Sequence, residues 1–335
     1  MHRSFIGVAA VVSMVALPLP LHAGVAGATD HSRWNARSWR ASYEARMGPQ
    51  QIEKTSKTFR IGANGTLDIG NVSGDMVITE AAGDTITIDA TKKTRDSDAR
   101  DEFARTTVTM VERAGRVEVR TTYTGRNNHA SVDYRVTAPP GTAVIAHSVS
   151  GDIRISGIRG ELRLESVSGD VSATGALGAS LIKSVSGEVT LSGVSTQAEL
   201  TASSISGNVT VTGAKVRSLD ADTVSGELKL TDVSCDRATV KSISGDVDFS
   251  GTLARNGRYE MQSHSGEIRL MLAGDPGFEL NAQTFSGNVR SDLPVTLRAG
   301  ESIGGRHKGL RGIHGDGSAQ LILHAFSGDI TISRK

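Results

Sequence analysis

The feature that most constrains this chain is a short phrase, Ser-Gly followed by Asp, Glu or Asn, that occurs ten times. Its glycines are Gly74, Gly151, Gly169, Gly187, Gly207, Gly226, Gly245, Gly266, Gly287 and Gly328. From Gly151 to Gly287 they lie 18, 18, 20, 19, 19, 21 and 21 residues apart. A near-fixed period of this size, with alternating apolar residues between copies, predicts a solenoid. Each repeat is one coil, unable to bury its apolar face until neighbours stack on it. Function is therefore expected along a surface and not in a single pocket.

Within the array Leu162, Leu164, Val171 and Ala173 alternate with Arg163, Glu165 and Ser172. This predicts two short strands bent around the Ser-Gly turn, with the apolar positions forming core columns. The intervals drift above 18 and no hexapeptide signature recurs, which favours a right-handed or irregular parallel β-helix over a left-handed one. The expected fold class is all-β, a single-stack β-solenoid with coils of 18 to 21 residues and one short N-terminal helix. With strands about 4.8 Å apart, ten coils make a rod of roughly 50 Å. The regular solenoid is expected over 141–335, the 41-residue gap before Gly328 being two periods with one copy eroded through Gly300 to Gly317. Residues 58–140 read as an irregular β region with a helix inserted near 96–105, where the sequence is charged and lacks β-branched residues.

The N-terminus carries Arg3, an apolar run from Phe5 to Leu17, and then Pro18 and Pro20. Residues 1–23 have the pattern of a signal peptide, with cleavage after Ala23 or Ala28, and the run is too short to span a bilayer. Export follows, to the periplasm, the cell surface or the medium. Residues 29–57 read as a polar leader with the composition of a disordered segment, a short docking helix being the alternative. This leader holds both tryptophans of the chain, Trp34 and Trp39, with Tyr43 and the basic residues Arg33, Arg37, Arg40 and Arg46.

Loss of Arg3 takes Lys plus Arg from 37 to 36, against 36 acids. That balance gives no footprint for nucleic acid or for an anionic membrane. Cys235 is the single cysteine, so no internal disulfide forms, and it reads as a small apolar side chain. No second spanning stretch, sorting signal or lipid-anchoring cysteine is expected, and the terminal Arg334 and Lys335 read as protection for the last strand's edge.

The turn glycine is required either for a positive φ or because a side chain would strike the next coil. The serine before it, and the hydroxyl two residues earlier still, as in Ser148, Ser166 and Thr223, are expected in ladders. The acidic column after it includes Asp152, Asp170, Glu188, Glu227, Asp246 and Glu267. Stacked carboxylates can take Ca²⁺, and Asp, Glu and Asn can equally cap a turn by accepting backbone N–H groups; Asn208 and Asn288 in the same column favour capping. His264 interrupts the aliphatic column of the phrase and reads as a surface or corner substitution. No acid pair, nucleophile elbow or histidine spacing stands out from the repeat, so neither catalytic residues nor a cofactor are expected. Aromatic residues are 4% of the chain, which argues against a sugar-stacking platform.

Three segments carry a resemblance: Ile69-Gly70-Asn71-Val72-Ser73-Gly74-Asp75, the stretch from Val132 to Gly141 that ends in Ala138-Pro139-Pro140-Gly141, and the array of Val-Ser-Gly-Asp turns. Over 59–335 the chain resembles the bacterial putative adhesin family of exported β-strand-repeat domains. The resemblance implies a β-solenoid at the cell envelope and supplies no catalytic residue. The expected function is a non-enzymatic, adhesin-like interaction scaffold that binds an envelope polymer, protein or peptide. The alternatives are a polysaccharide-active β-helix enzyme and a calcium-stabilised solenoid.

Overall fold

The computed structural model describes residues 49–125, 129–297 and 308–335. The signal segment 1–23 and the leader as far as 48 lie outside the described residues. What is described is all-β, with strands stacked into a β-solenoid-like repeat and one six-residue helix, Ala99–Ala104.

A regular rung has a long strand, the Ser-Gly turn, a short strand and a corner. Ala143–Ser150, Gly151 with Asp152, Ile153–Ser156 and Gly157 make the first of the uninterrupted run. Glu161–Ser168 lies parallel on Ala143–Ser150, with Leu162 against Val144, Leu164 against Ala146 and Ser166 against Ser148. The short strand Val171–Thr174 stacks in the same way on Ile153–Ser156. Because the register is kept column by column, each inward position meets its own kind above and below. Leu162, Leu164, Val171, Ala173, Ile182 and Val189 are fully buried. The drift in repeat length is absorbed on the far side from the turn, where the register shifts between Thr196 and Glu199 and between Cys235 and Arg237. The turn column itself stays in step.

Cys235 lies in that bulged region, buried, and burial followed by the charge of Asp236 pushes its thiol up to about 12. Beside it the Tyr259 hydroxyl donates to the Cys235 carbonyl at 2.5 Å and accepts from the Ala254 N–H at 2.8 Å. The ring meets Phe249 edge-on at 6.0 Å. A phenol can be buried here because both of its hydrogen-bonding capacities are used.

At both ends the stacking order departs from the chain order. The Gly74 rung, Thr66–Ser73 and Met76–Glu80, sits between the Gly151 rung and an outer rung made of Arg116–Tyr123 and Ser131–Ala138. Antiparallel strands then close that end: Thr106–Arg113 on Arg116–Tyr123, Thr85–Thr94 on Ser131–Ala138, and Gln51–Arg60 on Thr85–Thr94. The other end is built likewise. The last rung in sequence, Ala319–Ser327 and Ile330–Arg334, is inserted between the Gly266 rung and the Gly287 rung, and Lys308–His314 covers the latter antiparallel to Phe278–Ser286.

Three expectations change. Residues 51–57, read as leader, are already in the edge strand Gln51–Arg60; its Lys54, Lys57 and Arg60 provide the charge that discourages edge pairing. Over 141–335 the solenoid is not continuous: the part of the 300–317 gap that is described forms an antiparallel closing strand and not an eroded coil, since a terminal rung needs a cover more than another open edge. Ile330–Arg334 is not an edge, being paired on both sides, so Arg334 and Lys335 instead bond Asp275 and Asp232.

Candidate functional site

The repeated phrase and the residues just before it form columns with different environments. At Gly169, Gly187, Gly207 and Gly226 a Cβ would lie about 2.2 Å from the carbonyl oxygen of the glycine one rung below. None of these four has a positive φ in the left-handed region. Close approach between rungs, not backbone conformation, thus demands glycine here. The hydroxyl three residues before each glycine points inward. Ser184, Ser204, Thr223 and Ser263 each donate to the carbonyl of the turn glycine in the preceding rung, at 2.9 to 3.2 Å. The expected hydroxyl-to-hydroxyl ladder is replaced by hydroxyl-to-carbonyl bonds, because the glycine carbonyl lies nearer than the next side chain.

The acidic column is a set of caps. The N–H groups of Asp152, Asp170 and Glu188 donate to the Oδ1 of Asp75, Asp152 and Asp170 at 3.1, 2.9 and 2.8 Å. Glu227, Glu267 and Asn288 donate to Oδ1 of Asn208, Asp246 and Asp329 at 2.9, 2.9 and 2.8 Å. Every accepting side chain is Asp or Asn. Among the described residues, Glu188, Glu227 and Glu267 make no such bond to the next rung, their carboxyl standing one methylene too far out. Asn serves as well as Asp because the cap needs an oxygen and not a charge. The second oxygens meet arginines: Arg154 reaches Asp75 and Asp152, and Arg269 reaches Asp246, Asp248 and Glu267. Among the described residues, no group of three or more His, Cys, Asp or Glu is placed to hold a metal ion.

The position before Ser-Gly is open. Val72, Val149, Val167, Val185, Ile205, Val224, Ile243, His264, Phe326 and Phe285 follow one another up the stack, and the nine apolar ones among them are 39 to 54% exposed. His264 is part of this column and not an interruption, since its ring stacks on Phe326 at 4.7 Å and Phe326 stacks on Phe285 at 5.0 Å. The column is thus aliphatic for seven rungs and aromatic for three. At about 4.8 Å per rung it runs roughly 43 Å. Contiguous exposed apolar surface of this kind marks an interaction site more often than scattered single residues do.

Beside the ridge runs a groove of about 730 Å³. Val149, Val167, Val185, Ile205 and Val224 form one wall, and His147, Glu165, Lys183, Ser203 and Asp222 the other, with Arg120 and Asn71 near one end. The second wall carries both signs in alternation. His147 lies 3.5 Å from Glu165, and Glu165 is in register with Lys183. Burial, followed by the charge of Asp220, raises the Asp222 carboxyl despite Lys183 and Lys241. A surface with one apolar rail and one alternating polar rail, both in step with the strand spacing, suits an elongated partner. The groove was missed by sequence reasoning, although a signal was present: Leu164 in, Glu165 out and Ser166 in leave Val167 facing out.

Among the described residues no helix is long and apolar enough to cross a membrane. Solved structures to which the chain shows similarity include a putative adhesin from Bacteroides fragilis NCTC 9343, 13% identical over 84% of this chain and 97% of that chain, with a TM-score of 0.40. A putative adhesin from Parabacteroides merdae ATCC 43184 is 10% identical over 84% and 96%, with a TM-score of 0.40. A putative lipid binding protein from Parabacteroides distasonis ATCC 8503 is 13% identical over 84% and 96%, with a TM-score of 0.37. A comparison with curated proteins gives no match. The family model described as Toastrack DUF4097 matches residues 64–333, which span every Ser-Gly turn and leave out the edge strand Gln51–Arg60. The chain belongs to the Toastrack DUF4097 family.

Proposed function

We propose that this protein is an exported, non-enzymatic interaction scaffold, adhesin-like in that it holds an elongated envelope partner along the apolar ridge and its groove. The observation that carries the reading is the column from Val72 to Phe285, in which nine of ten positions are half-exposed apolar residues and the tenth is His264. Half of each side chain packs on its neighbours in the column, which aids stacking. The other half meets water, and the fold gains nothing from that half being apolar. The aspartates of the acidic column are engaged as caps, which supports binding over hydrolysis. The N-terminal pattern of residues 1–23 supports export, to the periplasm or the surface. A right-handed or irregular parallel β-helix remains the geometry that best accounts for coils of 18 to 21 residues.

The test is a photoreactive amino acid placed at Val167 on the ridge, or at Lys229 on the outer face of a short strand, in cells that make the protein. Adducts with an envelope component at 167 and none at 229 support the reading. Equal adducts at both positions, or none at 167, contradict it.

A further inference from the structure

The chain enters the described structure at one end of the ridge. Gln51 is in register with Thr94, the neighbouring Lys93 with Ser131, and the Asn71 side chain beside Val72 donates to the Val132 carbonyl at 2.8 Å. Gln51 thus stands about three strand spacings, roughly 14 Å, from the Gly74 turn where the ridge begins. Gln51–Arg60 runs away from that corner, so the chain before it starts at the corner.

The segment that precedes has the composition the ridge lacks. Residues 33–47 bring Trp34, Trp39, Tyr43 and Met47 for an apolar surface, with Arg33, Arg37, Arg40 and Arg46 between them. Three residues further along each rung, past the Ser-Gly turn, stand the exposed carboxylates of Asp170, Glu188 and Glu227, for which no ion pair is found among the described residues. The length also fits. Fifteen extended residues reach about 50 Å at roughly 3.3 Å each, against a ridge of about 43 Å.

We infer that residues 33–47 of the mature chain dock on the ridge of the same molecule, with the aromatic rings on the aliphatic rail and the arginines over the acidic column. The inference rests on the reading of the ridge as a docking surface and adds that its first occupant is the protein itself. Self-shelter also accounts for how a long apolar column is tolerated in water.

Both tryptophans of the protein lie in this leader, so intrinsic fluorescence of the mature chain reports it alone. The expected result is blue-shifted emission and several-fold lower acrylamide quenching than in the denatured chain, at every protein concentration. Two variants follow. The ridge triple V185T, I205T and V224T removes the apolar rail, and R33Q, R37Q, R40Q and R46Q remove the charges without touching the solenoid. Both should red-shift the emission and restore quenching. Tryptophans as accessible in the native chain as in the denatured one overturn the inference, as does shielding that neither variant relieves. A shift that appears only as concentration rises overturns it in favour of a second copy. Failure here leaves the scaffold reading standing if the adduct at 167 forms; shielded tryptophans without that adduct remove the external partner and keep the leader.

Discussion

Two columns climb the same ten rungs only two residues apart, and they obey different rules. In the glycine column a single carbon would collide with backbone about 2.2 Å away at Gly207. In the column of Val72 to Phe285 the fold accepts Val, Ile, His and Phe, all of them open to solvent or to a stacked ring. A sealed column reports what the fold needs. An open column that stays apolar without being buried reports a use outside the fold.

The sharpest way to break this contrast is Gly207→Ala. The backbone must move or the rungs must part, and the expected cost is about 3 kcal/mol in chemical denaturation; a cost near zero would mean the rungs are not in contact at that column. Asp68 gives the next effect. Burial acts to raise its carboxyl, but hydrogen bonds and charge from Arg116 and Arg120 outweigh it and hold it below the usual aspartate range. The folded form therefore binds fewer protons than the unfolded form. Its contribution is complete above the unfolded value of about 3.9 and fades as pH falls through the lower folded value. Asp68→Asn should cost about 2 kcal/mol at neutral pH and flatten the acid limb of the stability curve; an unchanged limb removes Asp68 from the account.

The acidic column offers an internal comparison. Asp170→Ala removes a cap to the Glu188 N–H and should cost about 1 kcal/mol. Glu188→Ala removes no cap and should stay within about 0.5 kcal/mol. Equal costs would show that charge, not capping, fixes that column. Smallest of all is the ridge: Val224→Thr keeps shape and β-branching and should change stability by no more than about 0.5 kcal/mol.

The repeat made most of the fold legible before any coordinates. Leu162 and Leu164 lie inside, the glycine interval counts rungs, and the aspartates cap, all for reasons local to one coil. The ends were not legible, because nothing in Ala319–Ser327 says that it inserts between the Gly266 and Gly287 rungs. Its phrase fits any gap of the same register, and the choice depends on which edge Lys308–His314 has already covered. Gln51–Arg60 escaped for another reason: its alternation is polar on both faces, as suits an edge strand, and composition alone reads such a segment as a leader. The ridge was legible in principle. Following the alternation three residues past Leu164 places Val167 outside.

One measurement bears on the central claim directly. The triple V185T, I205T and V224T is made in the mature chain, with the photoreactive residue at 167, and its denaturation midpoint and its envelope adduct are read in parallel. The account predicts a midpoint within about 1 kcal/mol of the parent and loss of the adduct. A collapsed midpoint would make the ridge structural, and an intact adduct would place binding elsewhere; either contradicts the claim that this column is kept apolar for a partner.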